Sequence, residues 1–179
     1  MRELGKRWWA ERHGFGLDTL LVGTTGIFFM VGLILSLTTI SWLYAAKQHV
    51  VQAITVAARQ AMYDSVSNAT LAQSDSGNIN PTMAATDFEN SLPQALGWPS
   101  SAYTVEDVTV YRASQTGTPL PVGLSGNVAG PSLYAQVAFT FSVVPFGNPK
   151  ASPMTVPMTV QMVVPANRYN QPEANWVGG

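Results

Sequence analysis

Few side chains in this sequence could carry out chemistry, and they do not form a catalytic pattern. There is no cysteine, which excludes disulfides, cysteine-ligated metals and thiol nucleophiles. The two histidines, His13 and His49, lie on either side of a long uncharged stretch. Adjacent carboxylates such as Glu106 and Asp107 point to opposite faces of a strand and do not converge. The sequence therefore predicts no catalytic, metal or cofactor site and a protein that is not an enzyme.

The composition narrows the class of protein further. The chain has 179 residues, of which 46% are hydrophobic and only 11% charged, with a net charge of −1. A soluble domain usually has about a quarter of its residues charged. Disorder throughout the chain is excluded by the high apolar content, and the balanced charge argues against a nucleic-acid partner.

The uncharged stretch is the strongest signal in the sequence. No Asp, Glu, Lys or Arg occurs from Thr19 to Ala46, which is longer than the about 20 residues that cross a hydrocarbon core. We predict a transmembrane helix over 17–46, with membrane lipid as its partner. A buried helix of a soluble protein would need a larger domain around it. A signal peptide would have an apolar region of about 7 to 15 residues, although removal near Ala45 and Ala46 stays open.

Charges on the two sides of this span predict its orientation. Residues 1–16 form a basic leader that contains Arg2, Lys6 and Arg7, and basic flanks stay in the cytoplasm. Trp42 and Tyr44 suit the opposite interface. The sequence therefore predicts a single-pass protein of the cell membrane, with its N-terminus cytoplasmic and its C-terminal domain outside.

The same helix is predicted to continue beyond the membrane. Neither glycine nor proline interrupts the chain between Gly32 and Gly77. Apolar residues recur there at spacings of three and four, which is typical of an amphipathic helix. They are Leu43, Ala46, Val50, Ile54, Ala57 and Ala61. We place this amphipathic segment at 47–67.

Residues 68–165 are predicted to form a small extracytoplasmic α+β domain. After a loop, Asn80 and Pro81 resemble the start of a short helix that ends near Pro93, with Met83, Phe88 and Leu92 on one face. Alternating residues predict strands over 133–143 and 154–164, joined as an antiparallel hairpin, and a weaker strand over 103–112.

Three further predictions concern the last strand, the loop before the hairpin and the C-terminal tail. Pro157 cannot donate to a ladder, which predicts that the last strand is an edge. The loop over 113–132 is predicted to be structureless, and the tail over 166–179 to be flexible. The predicted fold is α+β, in which the long N-terminal helix packs its apolar stripe on an antiparallel sheet of about three strands.

Within the predicted span, three positions suggest contacts with other subunits. Asp18 is the one formal charge between Arg12 and Lys47. It either caps the apolar helix or needs a cationic partner in an assembly. The pair Gly32 and Ser36 permits close approach of another helix.

The segment Gly14-Phe15-Gly16-Leu17-Asp18, followed by the apolar helix, resembles the type IV pilin superfamily, and most closely the TadE-like pseudopilins of tight-adherence (Flp) systems. The resemblance implies that a prepilin peptidase cleaves after Gly14 or Gly16, and that the apolar helix joins other pilin-like subunits. The family usually has a glutamate at the fifth position after cleavage. In this chain, Asp18 would be the fourth residue after cleavage at Gly14, or the second residue after cleavage at Gly16.

Two functions follow from these features. The first is a non-enzymatic minor pilin or pseudopilin of a type IV (tight-adherence) pilus or secretion assembly, in a membrane or a surface filament. The alternative is an uncleaved, membrane-anchored ligand-binding or scaffold module. A membrane-tethered hydrolase is least favoured, since no nucleophile, base and orienting group can be named.

Overall fold

The computed structural model describes residues 2–66, 79–143, 154–167 and 170–178. Within them, the side chains of residues 2–15, 17, 18, 143 and 154 lie outside the description. The chain divides into two compact units, residues 1–45 and 46–179. Most of the predicted loop at 67–80 and the predicted hairpin turn at 145–153 fall outside the described residues.

Helix α1 comprises Arg2–Asp64 and runs from the first unit into the second. It begins earlier than the expected start near Leu17, because the leader contains good helix formers and no proline. Each glycine in a helix costs about 1 kcal/mol relative to alanine, and α1 continues through its glycines despite this cost. In the second unit the predicted apolar stripe is confirmed, since Val50, Ile54 and Ala57 are fully buried.

The second unit contains a four-stranded antiparallel sheet in which sequence neighbours are also neighbours in space. Its strands are β1 (Tyr103–Tyr111), β2 (Ser132–Val143), β3 (Met154–Pro165) and β4 (Glu173–Val177). The three predicted strands and the α+β class are confirmed. Short 3₁₀ turns precede β1 at Ser100–Ala102 and follow it at Ala113–Gln115.

Strand β4 corrects two predictions. The tail is not flexible over Glu173–Val177, where it pairs with β3 through contacts such as Trp176 opposite Val160. Strand β3 is therefore not an edge. The pairing of β3 with β4 ends at Thr159 opposite Val177, and Pro157 lies beyond this end. Its missing N–H therefore removes no hydrogen bond between β3 and β4.

One face of the sheet forms the main core together with α1 and helix α2 (Pro81–Leu96). Alternate residues of β2 and β3 point into this core, as the pleat requires. Fully buried side chains come from both helices and both strands: Ile54, Phe88, Leu92, Leu133, Val137, Phe139, Val160, Met162 and Val164. The predicted packing of the helix on the sheet is confirmed.

Helix α2 begins as predicted and ends later. The Asn80 side chain accepts a hydrogen bond from the Met83 N–H at 3.4 Å, and Pro81 occupies the first turn. The helix continues through Pro93 to Leu96, where Gly97 adopts a left-handed conformation (φ 63°) and its N–H donates to the Pro93 carbonyl. Met83 is exposed. The buried face follows a spacing of four, with Ala84, Phe88, Leu92 and Leu96.

The loop between β1 and β2, predicted to be structureless, is folded over the other face of the sheet. The Gly117 N–H donates to the Val128 carbonyl, and the Val128 N–H donates to the Thr118 carbonyl, both at 2.8 Å. Val128 is buried with Tyr111, Tyr134 and Val163, and Leu120 and Leu124 pack against them. These apolar side chains hold the loop in place, so the sheet has a second, smaller core.

A polar ladder crosses the same face beside this small core. Gln136 Nε2 donates to Glu106 Oε2 at 2.6 Å, and Gln161 Nε2 donates to Gln136 Oε1 at 3.2 Å. The β1 register shifts between Val105 and Asp107, so Glu106 sits at a bulge. The Glu106 carboxylate is therefore hydrogen-bonded to the neighbouring strand β2.

Candidate membrane-spanning and assembly surface

The first unit presents a long exposed apolar surface. Its large side chains are exposed along the helix, and Phe28 has 78% of its surface accessible. The others are Leu20, Leu21, Val22, Ile27, Phe29, Met30, Val31, Leu33, Ile34, Leu37, Ile40, Trp42 and Tyr44. Exposed apolar surface of this extent is typical of contact with lipid or with other proteins.

Five hydroxyl groups in the first unit form hydrogen bonds within their own helix. Thr25 Oγ1 donates to the Leu21 carbonyl at 2.7 Å, and Ser36 Oγ donates to the Gly32 carbonyl at 2.9 Å. Thr24, Thr38 and Thr39 make the same kind of bond to the preceding turn. In hydrocarbon, polar groups must be satisfied within the protein, and these bonds satisfy each donor.

Within the described residues, one helix is long and apolar enough to cross a membrane. The candidate segment is Thr19–Asp64, and no part of its apolar window is buried. A core helix of a soluble protein would be mostly buried. A signal sequence near the N-terminus passes the same test of length and composition.

Small residues form two notches on the candidate span, one at Thr19 and Gly23 and the other at Gly32 and Ser36. A Cβ added at Gly23, Gly26 or Gly32 would meet no atom within 4 Å. Gly32 and Ser36 lie on adjacent turns, as predicted, and Thr19 and Gly23 do the same. Nine residues separate Gly23 from Gly32, which is a rotation of about 180° at 3.6 residues per turn. The notches therefore face opposite directions.

The predicted processing residues Gly14, Phe15, Gly16 and Leu17, with Asp18, all lie within helix α1. Of these, only Gly16 has described surroundings, and it is exposed with open space around it. Asp18 precedes Gly32 by about four turns, or about 21 Å. The structure places Gly32 beside Ser36 and does not bring Asp18 to either of them within one chain.

The one histidine among the described residues of the second unit makes a structural contact. His49 is exposed, and its Nε2 lies 3.0 Å from the Leu96 carbonyl oxygen at the end of α2. That carbonyl has no partner within its own helix. Among the described residues, no group of three or more His, Asp or Glu side chains could hold a metal.

An aromatic and cationic cluster surrounds the first residues of the second unit, and sequence reasoning missed it. Lys47 Nζ lies 5.1 Å from the centre of the Trp176 ring, and the His49 ring lies 5.9 Å from Trp98. Trp98 packs edge-on against Phe139 and Phe141, both at about 6 Å. Trp176 contacts the same two phenylalanines. We call Lys47, His49, Trp98 and Trp176 the junction cluster.

Burial perturbs one titratable group beside this cluster. Tyr103 packs on Phe139 with ring centres 6.1 Å apart. Removal of its phenol from water raises the pKa of Tyr103 above its ordinary value. The group therefore remains neutral at physiological pH and contributes no charge to the cluster.

A cleft of about 1110 Å³ lies at the opposite end of the second unit, beside the end of α1. Arg59, Ser132 and Glu173 contribute to its lining. Arg59 Nε and Ser132 Oγ have no hydrogen-bond partner, but both atoms are buried beneath the surface. They cannot reach a molecule in the cleft without rearrangement, so we assign no site here.

These observations describe a class of protein in broad terms: an exposed apolar helix that is long enough to span a bilayer, followed by a compact α+β domain. A scan of protein-family models, a search of curated proteins and a search of solved structures each found no match to the chain. The functional argument therefore depends on the residues themselves.

Proposed function

We propose that the protein is a non-enzymatic, single-pass membrane subunit of the minor pilin or pseudopilin type. Its apolar helix would lie in lipid or among the helices of other pilin-like subunits, with the N-terminus cytoplasmic and the α+β domain outside. The observation that carries this proposal is the exposed apolar surface of the first unit, where five serine and threonine hydroxyls donate to carbonyls of their own helix.

The two opposed notches support an assembly rather than an isolated anchor. Glycine and serine permit close approach of helices, and van der Waals packing drives association where lipid surrounds both partners. A helix with notches on opposite sides can contact two neighbours at once. An isolated anchor has no need of either notch.

The leader supports processing of this subunit before assembly. Cleavage after Gly14 or Gly16 would leave a new amino group on Phe15 or Leu17. Asp18 of a neighbouring subunit could pair with that amino group, which would lower the cost of both charges near hydrocarbon and fix the relative position of the subunits.

The first test is the mature N-terminus, measured by mass spectrometry on protein from the cell envelope. We expect a chain that begins at Phe15 or Leu17, and a Gly14→Val, Gly16→Val double variant that retains the leader. Intact Met1 in every cellular fraction would contradict processing and favour the uncleaved anchor instead.

The second test addresses assembly through the notches. Gly32→Leu fills the notch but meets no atom of its own chain, so the second unit should unfold at an unchanged temperature while crosslinking between subunits falls. Thr38→Leu is a matched control, because Thr38 lies about 120° around the helix from Gly32. Equal crosslinking in both variants would exclude this notch as a contact.

A further inference from the structure

The junction cluster has a composition that suits the boundary between lipid and water. Tryptophan rings are enriched at that boundary because they combine an apolar body with one polar N–H group. Lysine near the end of a membrane helix extends its ammonium group toward the phosphate layer. Trp98 and Trp176 are partly exposed, and so is Lys47 above the Trp176 ring.

Chain connectivity keeps this cluster close to the end of the apolar stretch. Lys47 follows Ala45, the last residue of the first unit, by two positions, and two residues cover at most about 7 Å. Trp176 contacts Lys47, and Trp98 contacts His49, so neither tryptophan can lie far from the point where the chain leaves the span. This argument holds for any relative orientation of the two units.

We infer that the junction cluster forms a lipid-contacting surface, with Trp98 and Trp176 in the headgroup and glycerol layer of the bilayer and Lys47 directed to the lipid phosphates. The inference depends on the proposed membrane location and adds a docking position for the domain. The half-exposed Val177 side chain follows Trp176 and extends the apolar part of this surface. The domain would thus rest on the membrane instead of standing away from it.

The arrangement within the cluster favours this role over simple core packing. Phe139 and Phe141 pack edge-on against Trp98 and at a tilt against Trp176, while the Lys47 ammonium lies over the Trp176 ring. A cation held over an aromatic ring carries positive charge to the surface of the domain. The Lys47 side chain is partly exposed beside that ring, so its ammonium group can also reach a phosphate.

Quenching of tryptophan fluorescence by nitroxide-labelled lipids tests the inference on the full chain in phosphatidylcholine and phosphatidylglycerol nanodiscs. The chain has five tryptophans, so each reporter variant retains one and replaces the others with phenylalanine. We expect a headgroup nitroxide to remove most of the emission of Trp98 and of Trp176. We also expect Lys47→Gln to reduce the quenching of Trp176 when phosphatidylglycerol is present.

The matched control is Tyr63→Trp in the background that lacks the natural tryptophans. Tyr63 is 73% exposed and follows Lys47 by 16 helical residues, about 24 Å along α1, so this reporter should not be quenched. If Trp98 and Trp176 are quenched no more than this control, the inference is wrong.

Two further measurements distinguish failure of this inference from failure of the proposed membrane location. Trp42 belongs to the first unit and is predicted to lie at the interface, so the same headgroup nitroxide should quench it if the proposed membrane location is right. Quenching of Trp42 without quenching of Trp98 and Trp176 overturns the inference alone, whereas absence of all quenching overturns the membrane location as well. If a phenylalanine variant does not fold, 5-fluorotryptophan in the unaltered chain gives the same comparison through paramagnetic broadening of its fluorine resonances.

Discussion

Phe28 and Phe88 are both helical phenylalanines, but their surroundings are opposite. Phe28 lies in the first unit with 78% of its surface exposed, whereas Phe88 lies in α2 with none exposed. Both side chains are equally apolar, so burial among the chain's own residues distinguishes the second unit from the exposed first unit. The second unit contains its own partners, with two helices on one sheet face and a loop on the other.

The comparison extends to polar groups. In the first unit, serine and threonine hydroxyls donate to carbonyls of their own helix. In the second unit, Gln136 bonds to Glu106 and Gln161 bonds to Gln136, which are pairs of residues 30 and 25 positions apart on neighbouring strands. Local bonds suit a helix placed in lipid, and long-range bonds suit a domain with one fixed register.

The largest expected effect comes from truncating each of these phenylalanines. Phe88→Ala should lower the free energy of unfolding of the second unit by about 3 to 5 kcal/mol, because it leaves a cavity in a full core. Phe28→Ala should leave that free energy unchanged. Thermal unfolding of the full chain in detergent, followed by near-ultraviolet circular dichroism, measures both. Equal destabilisation by the two variants would show that the first unit also packs on the domain.

A smaller effect is expected in the loop between β1 and β2. Gly123 has a φ of +107°, and a Cβ there would contact the Gln161 side chain, so Gly123→Ala should cost about 1 to 3 kcal/mol of unfolding free energy. Gly126 has a φ of +96° with open space around it, so Gly126→Ala carries the backbone strain alone and should cost less. Urea denaturation compares the two variants. No loss in either would show that the loop is not held on the sheet.

Sequence patterns predicted the parts of the fold that depend on local periodicity. Spacings of three and four identified α1, and spacings of two identified β2 and β3, because burial of one face fixes these periods. Strand β4 was missed, since five residues of mixed polarity become a strand only when β3 supplies the ladder. A tryptophan in an otherwise polar tail was the available signal, because so large an apolar ring is seldom left in water.

The candidate site was predicted only in part. The apolar span and its small residues are continuous in sequence, so Gly32 and Ser36 could be placed without a structure. The junction cluster joins residues from α1, the segment after α2 and β4, so no spacing relates Lys47 to Trp98 or Trp176. Long-range strand pairing determines which aromatic side chains meet, and the sequence alone does not contain that register.

Loss of the cap on α2 should have a moderate effect. Asn80→Ala removes the acceptor of the Met83 N–H, and such changes typically cost about 1 kcal/mol. Asn80→Asp is the matched control, because aspartate also accepts this bond, and it should retain most of the stability. The midpoint of urea denaturation measures both. Equal losses in the two variants would mean that the cap does not stabilise the helix.

The smallest effect is expected where a hydroxyl bonds only to its own helix. Thr38 Oγ1 donates to the Ile34 carbonyl in the first unit, and Thr55 Oγ1 donates to the Val51 carbonyl in the second. Valine keeps the shape of threonine and removes the donor, so each Thr→Val change should alter stability or membrane integration by less than about 0.5 kcal/mol. Flotation on a density gradient measures integration for Thr38→Val, and thermal unfolding measures Thr55→Val. A clear loss of integration for Thr38→Val alone would show that this hydroxyl has a partner outside the chain, and the contrast between the two units would then apply to apolar side chains only.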